Sequence, residues 1–456
     1  MSKRASTGIS RRQFVLGTGA SLAGASIFPK SASARQSPND RLNIAAIGLG
    51  LMGPGNLKGC QGENIVALCD VDRENAAQTI ASYPGAAFYT DYREMLEKEK
   101  GIDAVIVATP DHTHAAITLA SLQLGKHVYC QKPLTHTVAE ARMLTEAARQ
   151  ANVRTQMGNQ GHSYESMRVL KEWLDDGAIG DVREVQAWTD RPVGGQIYSD
   201  FAVRARPEET VAVPPALDWD LWLGPAPFRP YHPAYHPITW RAWVDFGTGA
   251  LGDMGCHILD PAFWALELGA PQTVEGTSTH YDPAVAAETY PRASIVRYTF
   301  PARGTRPPVN LTWYDGRLLP PMPPELEPGR TLPRSGALLM GDKGTILHGS
   351  HGADGVRLIP EARMQEYQRP PKTLRRVTEG HEGDWIRAIK AGPDGIPPCS
   401  PFEYGAALTE MVLLGVIAIR LKDQRLEWDS GQGRFTNNDA ANGLLTKQYR
   451  PGWMPE

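Results

Sequence analysis

Gly48-Leu49-Gly50-Leu51-Met52-Gly53 directly follows the apolar run Leu42 to Ile47, and Asp70 closes the next apolar run 20 residues after Gly50. Glycines at this spacing let a backbone turn tightly and approach a pyrophosphate at a helix N-terminus. A carboxylate at the end of the second strand then accepts hydrogen bonds from ribose hydroxyls. Gly48, Gly50, Leu51, Met52, Gly53 and Asp70 are therefore candidates for holding a dinucleotide. The Asp70 charge repels a 2′-phosphate and favours NAD over NADP, with Arg73 close enough in sequence to offset that repulsion. A glycine-rich turn without cofactor is the plainer alternative; the strand before it and the acid after it argue against that.

Two further segments end apolar runs, where an open α/β sheet presents its ligand-binding edge: Thr109-Pro110-Asp111-His112-Thr113-His114 and Cys130-Gln131-Lys132-Pro133. Thr109, Pro110, His112, His114, Gln131 and Lys132 join the candidate cofactor residues. Next to a positive nicotinamide ring, in surroundings of low dielectric, a lysine is disfavoured as an ammonium, which makes Lys132 a candidate for polarising a substrate hydroxyl. In Gly249 to His257 the i, i+4 spacing places Asp253 and His257 on one helix face. A histidine of near-neutral pKa can take a hydroxyl proton as hydride leaves the same carbon, and a nearby carboxylate can steady the imidazolium. Alone, such a pair reads more simply as a cap and a core histidine; the preceding motifs give it catalytic meaning.

Successive βα units are needed to position these groups. Residues 42–160 predict strands at 42–47, 64–69, 104–108, 127–130 and 154–157, with helices at 91–100, 113–124 and 138–151 capped by Asp91 and Thr137. That alternation implies a parallel, doubly wound sheet. Residues 161–456 predict strands at 181–189, 273–281, 293–300 and 308–314 and helices at 383–391 and 402–421, an α+β domain on a large, open, mostly antiparallel sheet. All 11 tryptophans fall in this second part. The Pro-rich stretch 318–334 has no periodicity and suits either a binding loop or lid, or a rigid arm used in assembly.

At 456 residues the chain exceeds one ordinary domain of roughly 100–200 residues. Its 41% apolar and 21% charged content excludes a polytopic membrane protein, a disordered tail and a collagen-like fibre. A net charge of −3 without a long basic run makes nucleic acid a poor partner. Ser10-Arg11-Arg12-Gln13-Phe14-Val15-Leu16, the Gly/Ala-rich run to Phe28 and Ala32-Ser33-Ala34 resemble a twin-arginine export signal. The apolar run is shorter than the ~20 residues of a spanning helix, so residues 1–34 are expected to be removed, 35–41 to be a linker, and the mature protein to be periplasmic or otherwise exported without a membrane span. Removal lowers Lys+Arg from 47 to 42 against 50 acidic residues, a net −8. Five cysteines without a C-x-x-C suggest buried thiols rather than disulfides. His232-x-x-x-His236 and His112-x-His114 have ligand-like spacings, but Pro233 and Pro237 oppose a shared helix face and no third ligand is evident, so no metal is expected.

The order GLGLMG, TPDHTH, QKP and GDMGCH resembles the Gfo/Idh/MocA oxidoreductases, relatives of glucose-fructose oxidoreductase and inositol dehydrogenase. The resemblance implies a Rossmann domain followed by an open-faced sheet that often mediates dimers or tetramers. It assigns catalysis to Lys132 of the family's E-K-P motif and to Asp253 and His257 of its D-x-x-x-H motif. YCQKPL, MGNQG, WDLWLGPAP and the segment Tyr449 to Trp453 look like a secreted bacterial branch of that family. Gln131 departs from the family's glutamate, removing a carboxylate that would favour the Lys132 ammonium. A carbohydrate or polyol substrate suits the resemblance and the composition. Asn159, Gln160, His162, Arg168 and His257 are placed to read hydroxyls, and Trp240, Trp243, Trp313 and Tyr314 to stack on sugar C–H faces; sheet core is the plainer reading of those aromatics.

Three functions follow. The first is an exported NAD-dependent oxidoreductase acting on a sugar derivative, with a tightly bound cofactor recycled internally because no NAD pool is expected outside the cytoplasm. The second is a glycoside hydrolase working by transient oxidation, elimination and re-reduction, as in a branch of the same family. The third is a non-catalytic cofactor-binding scaffold in which Gln131 marks lost catalysis.

Overall fold

The computed structural model describes residues 41–192, 205–280 and 282–454; the expected export signal, and the linker up to residue 40, lie outside the described residues. Strands β1 (Asn43–Ile47), β2 (Asn64–Cys69), β3 (Ala87–Tyr89), β4 (Ala104–Val107), β5 (His127–Gln131) and β6 (Thr155–Gly158) form a six-stranded sheet in the order β3-β2-β1-β4-β5-β6. Every pairing is parallel. β4 is buried at each position, as a strand covered by helices on both faces must be. The chain leaves β1 towards β2 on one side and returns beside it as β4 on the other, so a ligand crevice opens at the carboxyl ends of these strands. Asp91 caps helix Tyr92–Lys98, and Thr137 and Glu140 close a capping box on helix Val138–Ala151.

The second sheet has nine strands: β7 (Val182–Trp188), β8 (Thr273–Ser278), β9 (Ser294–Phe300), β10 (Val309–Tyr314), β11 (Gly336–Gly341), β12 (Gly344–His348), β13 (Arg357–Ile359), β14 (Arg425–Asp429) and β15 (Arg434–Phe435). Their order is β13-β12-β11-β7-β10-β9-β8-β14-β15. β7 and β10 are parallel and the other pairs antiparallel. Helix Phe402–Arg420 is apolar and largely buried, and packs on this sheet where Gly276 leaves no room for a side chain: a Cβ there would lie 2.5 Å from the Ala418 carbonyl oxygen. The buried helix Gly249–Ile258 packs against it through Gly255, whose Cβ would touch Val412.

The linear division at residue 160 is not a spatial one. Helix His381–Lys390 returns to the first domain, where Trp385 and Ile389 share a core with Ile44, Leu57 and Tyr129. The Pro-rich stretch 318–334 packs on the second sheet. Leu326 and Leu332 join Trp188, Leu338, Leu347 and Ile359, and the Trp188 indole donates to the Pro333 carbonyl oxygen at 2.8 Å. All five cysteines are free thiols.

Candidate active site

A cleft of about 1160 Å³ lies along the carboxyl edge of the first sheet. It runs from Gln131 and Lys132 at β5, past Thr109–Asp111 after β4 and Gly48 after β1, to Asp70 after β2 and Thr90–Tyr92 after β3. Gly50, Leu51, Met52 and Pro110 also line it. Gly48 has φ +88°, and a Cβ there would lie 2.5 Å from the Ala108 carbonyl oxygen, so the turn admits only glycine. Gly53 opens helix Gly53–Gly59 just behind this turn; its missing side chain lets the helix sit against the Gly48 carbonyl. Asp70 accepts from the Leu49 N–H at 2.7 Å and the Asp72 N–H at 2.9 Å. Burial pushes its carboxyl up to about 6 against those hydrogen bonds. Arg73 stacks over Phe88 at 4.8 Å and is not among the residues lining the cleft.

Two expected cofactor residues stand behind the wall rather than in it. His112 is buried against Trp222 and Phe246, its ring nitrogens facing their carbonyl oxygens, and burial holds it neutral at about 3. His114 places Nδ1 2.9 Å from the Pro133 carbonyl oxygen and Nε2 2.8 Å from that of Thr109. Only an imidazolium donates to both. Burial opposes this charge, but Cys130, Asp111 and the Pro133 carbonyl hold His114 up at about 9. It therefore clamps the loop after β4 to the loop carrying Lys132. Of the other two histidines with ligand-like spacing, His236 Nε2 sits 2.7 Å from Asp72 Oδ2 and His232 lies 3.8 Å from Glu209.

At the β5 end, Lys132 Nζ donates to Asp253 Oδ1 at 3.0 Å and to the Asp253 carbonyl oxygen at 2.7 Å. Arg241 and Arg191 lie 3.5 and 4.0 Å from the same carboxylate. Burial alone would raise Asp253; the charges of Lys132 and Arg241 outweigh it and hold the carboxyl below its usual range. The glycines around Asp253 make this approach possible. A Cβ on Gly247 would lie 2.5 Å from Arg241 Cα. Gly252 leaves room for the Thr248 hydroxyl, which donates to the buried Asp111 at 2.7 Å and so ties the helix to the end of β4.

His257 shares the helix face of Asp253. It is buried, and its Nδ1 has no hydrogen-bond partner among the described residues. Burial, then the Lys132 charge and the neighbouring His351, hold it well below the ordinary histidine value. His351, which sequence reasoning missed, lies with its ring centroid 4.2 Å from that of His257. It arrives there because Gly161 and Gly352 (φ +55°) meet backbone to backbone; a Cβ on Gly161 would lie 2.6 Å from the Gly352 N. The glycine of the MGNQG segment thus docks the loop after β12 on the site.

The expected substrate readers divide sharply. Trp240 lines the cleft, and Arg241 stacks on it at 4.1 Å. Trp243 instead sits in an aromatic core against Tyr235, its indole donating to the Ala234 carbonyl, and Trp313 is fully buried with its indole on Asp315. Tyr314, half-buried, packs with the Trp188 core. Asn159 and His162 are buried on Asp260, Ser400 donates to Asn159 at 2.7 Å, and Arg168 donates to the His162 carbonyl. These groups anchor the loop after β6 to the second domain, because a buried polar side chain must find a partner. Gln160 is half-buried, with Oε1 buried and unpartnered among the described residues.

Gln131 does not face Lys132 as a partner. Its amide donates to Asn56 Oδ1 at 3.0 Å, while its Oε1 is buried and unpartnered among the described residues. The glycine cradle, the Asp70 carboxylate and this unmatched acceptor in the cleft wall fit a dinucleotide.

Residues 42–159 match the family model described as "Oxidoreductase family, NAD-binding Rossmann fold", and residues 193–298 that described as "Oxidoreductase family, C-terminal alpha/beta domain". The chain is 32% identical over 170 residues to inositol 2-dehydrogenase of Klebsiella pneumoniae, covering 36% of this chain and 50% of that one. It is 24% identical over 196 residues to levoglucosan dehydrogenase of Pseudarthrobacter phenanthrenivorans, 43% of this chain and 40% of that one. These alignments span half or less of the curated relatives' length. The fold is similar to the WlbA dehydrogenase of Bordetella pertussis in complex with NADH and UDP-GlcNAcA, with TM-score 0.59 and 16% identity over 85% of this chain and 99% of that one.

Proposed function

The chain belongs to the Gfo/Idh/MocA oxidoreductase family, and on that premise we propose that it is an NAD-dependent dehydrogenase acting on a hydroxyl-bearing carbon of a sugar or polyol. The observation that carries this reading is Lys132 in the cleft wall, paired through its ammonium with Asp253, which stands with His257 on one face of the buried helix behind that wall. Bound NAD supplies the hydride acceptor. When bound, its pyrophosphate would be held by Gly48 to Met52 and its adenosine ribose by Asp70, with Gln131 in the cleft wall beside Lys132. Asp253 fixes the Lys132 ammonium, which polarises the substrate oxygen. His257, neutral because it is buried, takes the hydroxyl proton at Nδ1. Asp253 therefore serves Lys132 rather than steadying His257.

The departure at Gln131 does not remove the lysine's carboxylate, since Asp253 supplies it; this weighs against the scaffold reading. Inositol and levoglucosan, the substrates in the relatives' names, support cyclic polyols and sugars as the substrate class. The arginine pair and the small-residue site in residues 1–34 support export by the twin-arginine route, and export favours a cofactor that stays bound through its redox cycle. Mass spectrometry of protein purified from the exported fraction without added nucleotide tests this. Near-stoichiometric NAD is expected; protein confined to the cytoplasm, or stripped of nucleotide, contradicts the resident-cofactor proposal.

A further inference from the structure

Trp453 is remote in sequence from every dinucleotide motif, yet its indole lines the cleft together with Tyr92, Thr113, Ile117 and Gly224. The contacts that bring it there are specific. Arg450 donates to the Gly224 carbonyl oxygen at 2.8 Å and to Asp220 Oδ1 at 2.7 Å, and its own N–H reaches the Pro225 carbonyl at 3.1 Å. Lys447 donates to the His112 carbonyl oxygen at 3.1 Å. The guanidinium groups of Arg93 and Arg450 lie 4.3 and 5.1 Å from the Trp453 ring centroid and hold the indole in place.

The segment that Arg450 grips is itself part of the cleft cover. Asp218 N–H donates to the Val71 carbonyl oxygen at 2.8 Å and Arg73 N–H to that of Ala216 at 3.0 Å, joining this segment to the chain directly after Asp70. Two remote stretches are thus layered over the β2 and β3 side of the cleft. Asp70 marks that side for the adenosine ribose, whereas Lys132 lies across the sheet at β5. A base held there meets the part of the indole that lines the cleft, and base–aromatic contact needs no particular hydrogen-bond pattern.

We propose that Trp453 is an adenine-binding residue, and that residues 446–454 close the adenosine end of the cleft and slow the release of NAD. This rests on the reading of the cleft as an NAD site. The test uses the full chain loaded with NAD, following exchange against isotope-labelled NAD by mass spectrometry. Trp453→Ala exchanges at least about fivefold faster than the unaltered chain, and Trp453→Phe, which keeps a ring, stays within about twofold of it. Arg450→Gln, which loosens the anchor on Asp220 and Gly224 without altering the indole, also speeds exchange, and it carries the test should Trp453→Ala melt early. An unaltered exchange rate in both variants, with NAD bound, overturns the assignment of Trp453 and leaves the NAD site standing. A wild-type chain that binds no NAD on titration overturns both.

Discussion

Lys132, at the end of β5, is paired through its ammonium with Asp253 in a buried helix 121 positions away, at 3.0 Å from the carboxylate and 2.7 Å from the carbonyl oxygen. Only 11% of the lysine side chain and 6% of the aspartate side chain are exposed, so neither charge is screened by water as a surface pair is. Replacing Lys132 with Ala leaves Asp253 with Arg241 and Arg191 as neighbours, and the expected destabilisation is about 1–3 kcal/mol. Turnover is expected to fall by about 10²–10⁴, with NAD affinity changed only a few-fold. Urea titration, steady-state kinetics and calorimetric NAD binding measure the three effects separately.

Gln131→Glu restores the residue type of the related motif and is expected to harm the protein. Asn56 donates its amide to Glu382 at 2.7 Å, so its oxygen faces Gln131 and needs a donor. A glutamate offers two acceptors there, in the same buried network as Tyr129 and Glu382. A loss of about 1–2 kcal/mol by chemical denaturation, without a gain in turnover, is expected.

NAD is expected to bind at least about tenfold more tightly than NADP, because the carboxylate of Asp70 repels a 2′-phosphate and Arg73 is stacked on Phe88 away from the cleft wall. Parallel titrations with the two nucleotides check this. Asp70→Ser should narrow the difference by weakening NAD.

Stability is expected to fall on acidification from pH 7 to 4.5. Burial holds His112 at about 3 and His127 and His348 at about 4, so below the unfolded value of about 6.5 the unfolded chain binds protons that the folded chain refuses. Asp70 and Asp315, both pushed up to about 6 by burial, oppose this because there the folded chain is the better proton binder. Three histidine shifts outweigh two aspartate shifts. On the alkaline side, the stability that His114 contributes below pH 6.5 is lost as pH rises through about 9. A melting-temperature series across pH 4.5–10 should therefore peak near neutrality.

The first sheet was legible in the sequence because its strands are short apolar runs bounded by turn residues; the predicted segments at 64–69 and 104–108 differ from β2 and β4 by at most one residue. β3, three residues long and only half-buried, carries no such signal. β11 to β13 follow the Pro-rich stretch in short segments that periodicity does not separate from loop. The positions of the glycine motif, Asp70 and Lys132 in the cleft wall, and of Asp253 and His257 on one helix face, were legible because each sits at a strand end or at helical spacing. Asn159, His162 and Arg168 were read as ligand groups because residue type is the same whether the partner is a sugar or Asp260. His351 was invisible because its place depends on Gly161 and Gly352, far apart in sequence, meeting backbone to backbone.

The most direct test of the central claim is label transfer in a single turnover. NAD-loaded protein is mixed with a panel of cyclic polyols and sugars deuterated at their carbinol carbons, and the nicotinamide is analysed by mass spectrometry. Deuterium is expected on the cofactor of the unaltered chain. It should be lost in Lys132→Ala and His257→Asn, both of which retain nucleotide. Equal transfer in these variants, or none from any member of the panel to the unaltered chain, would contradict the account.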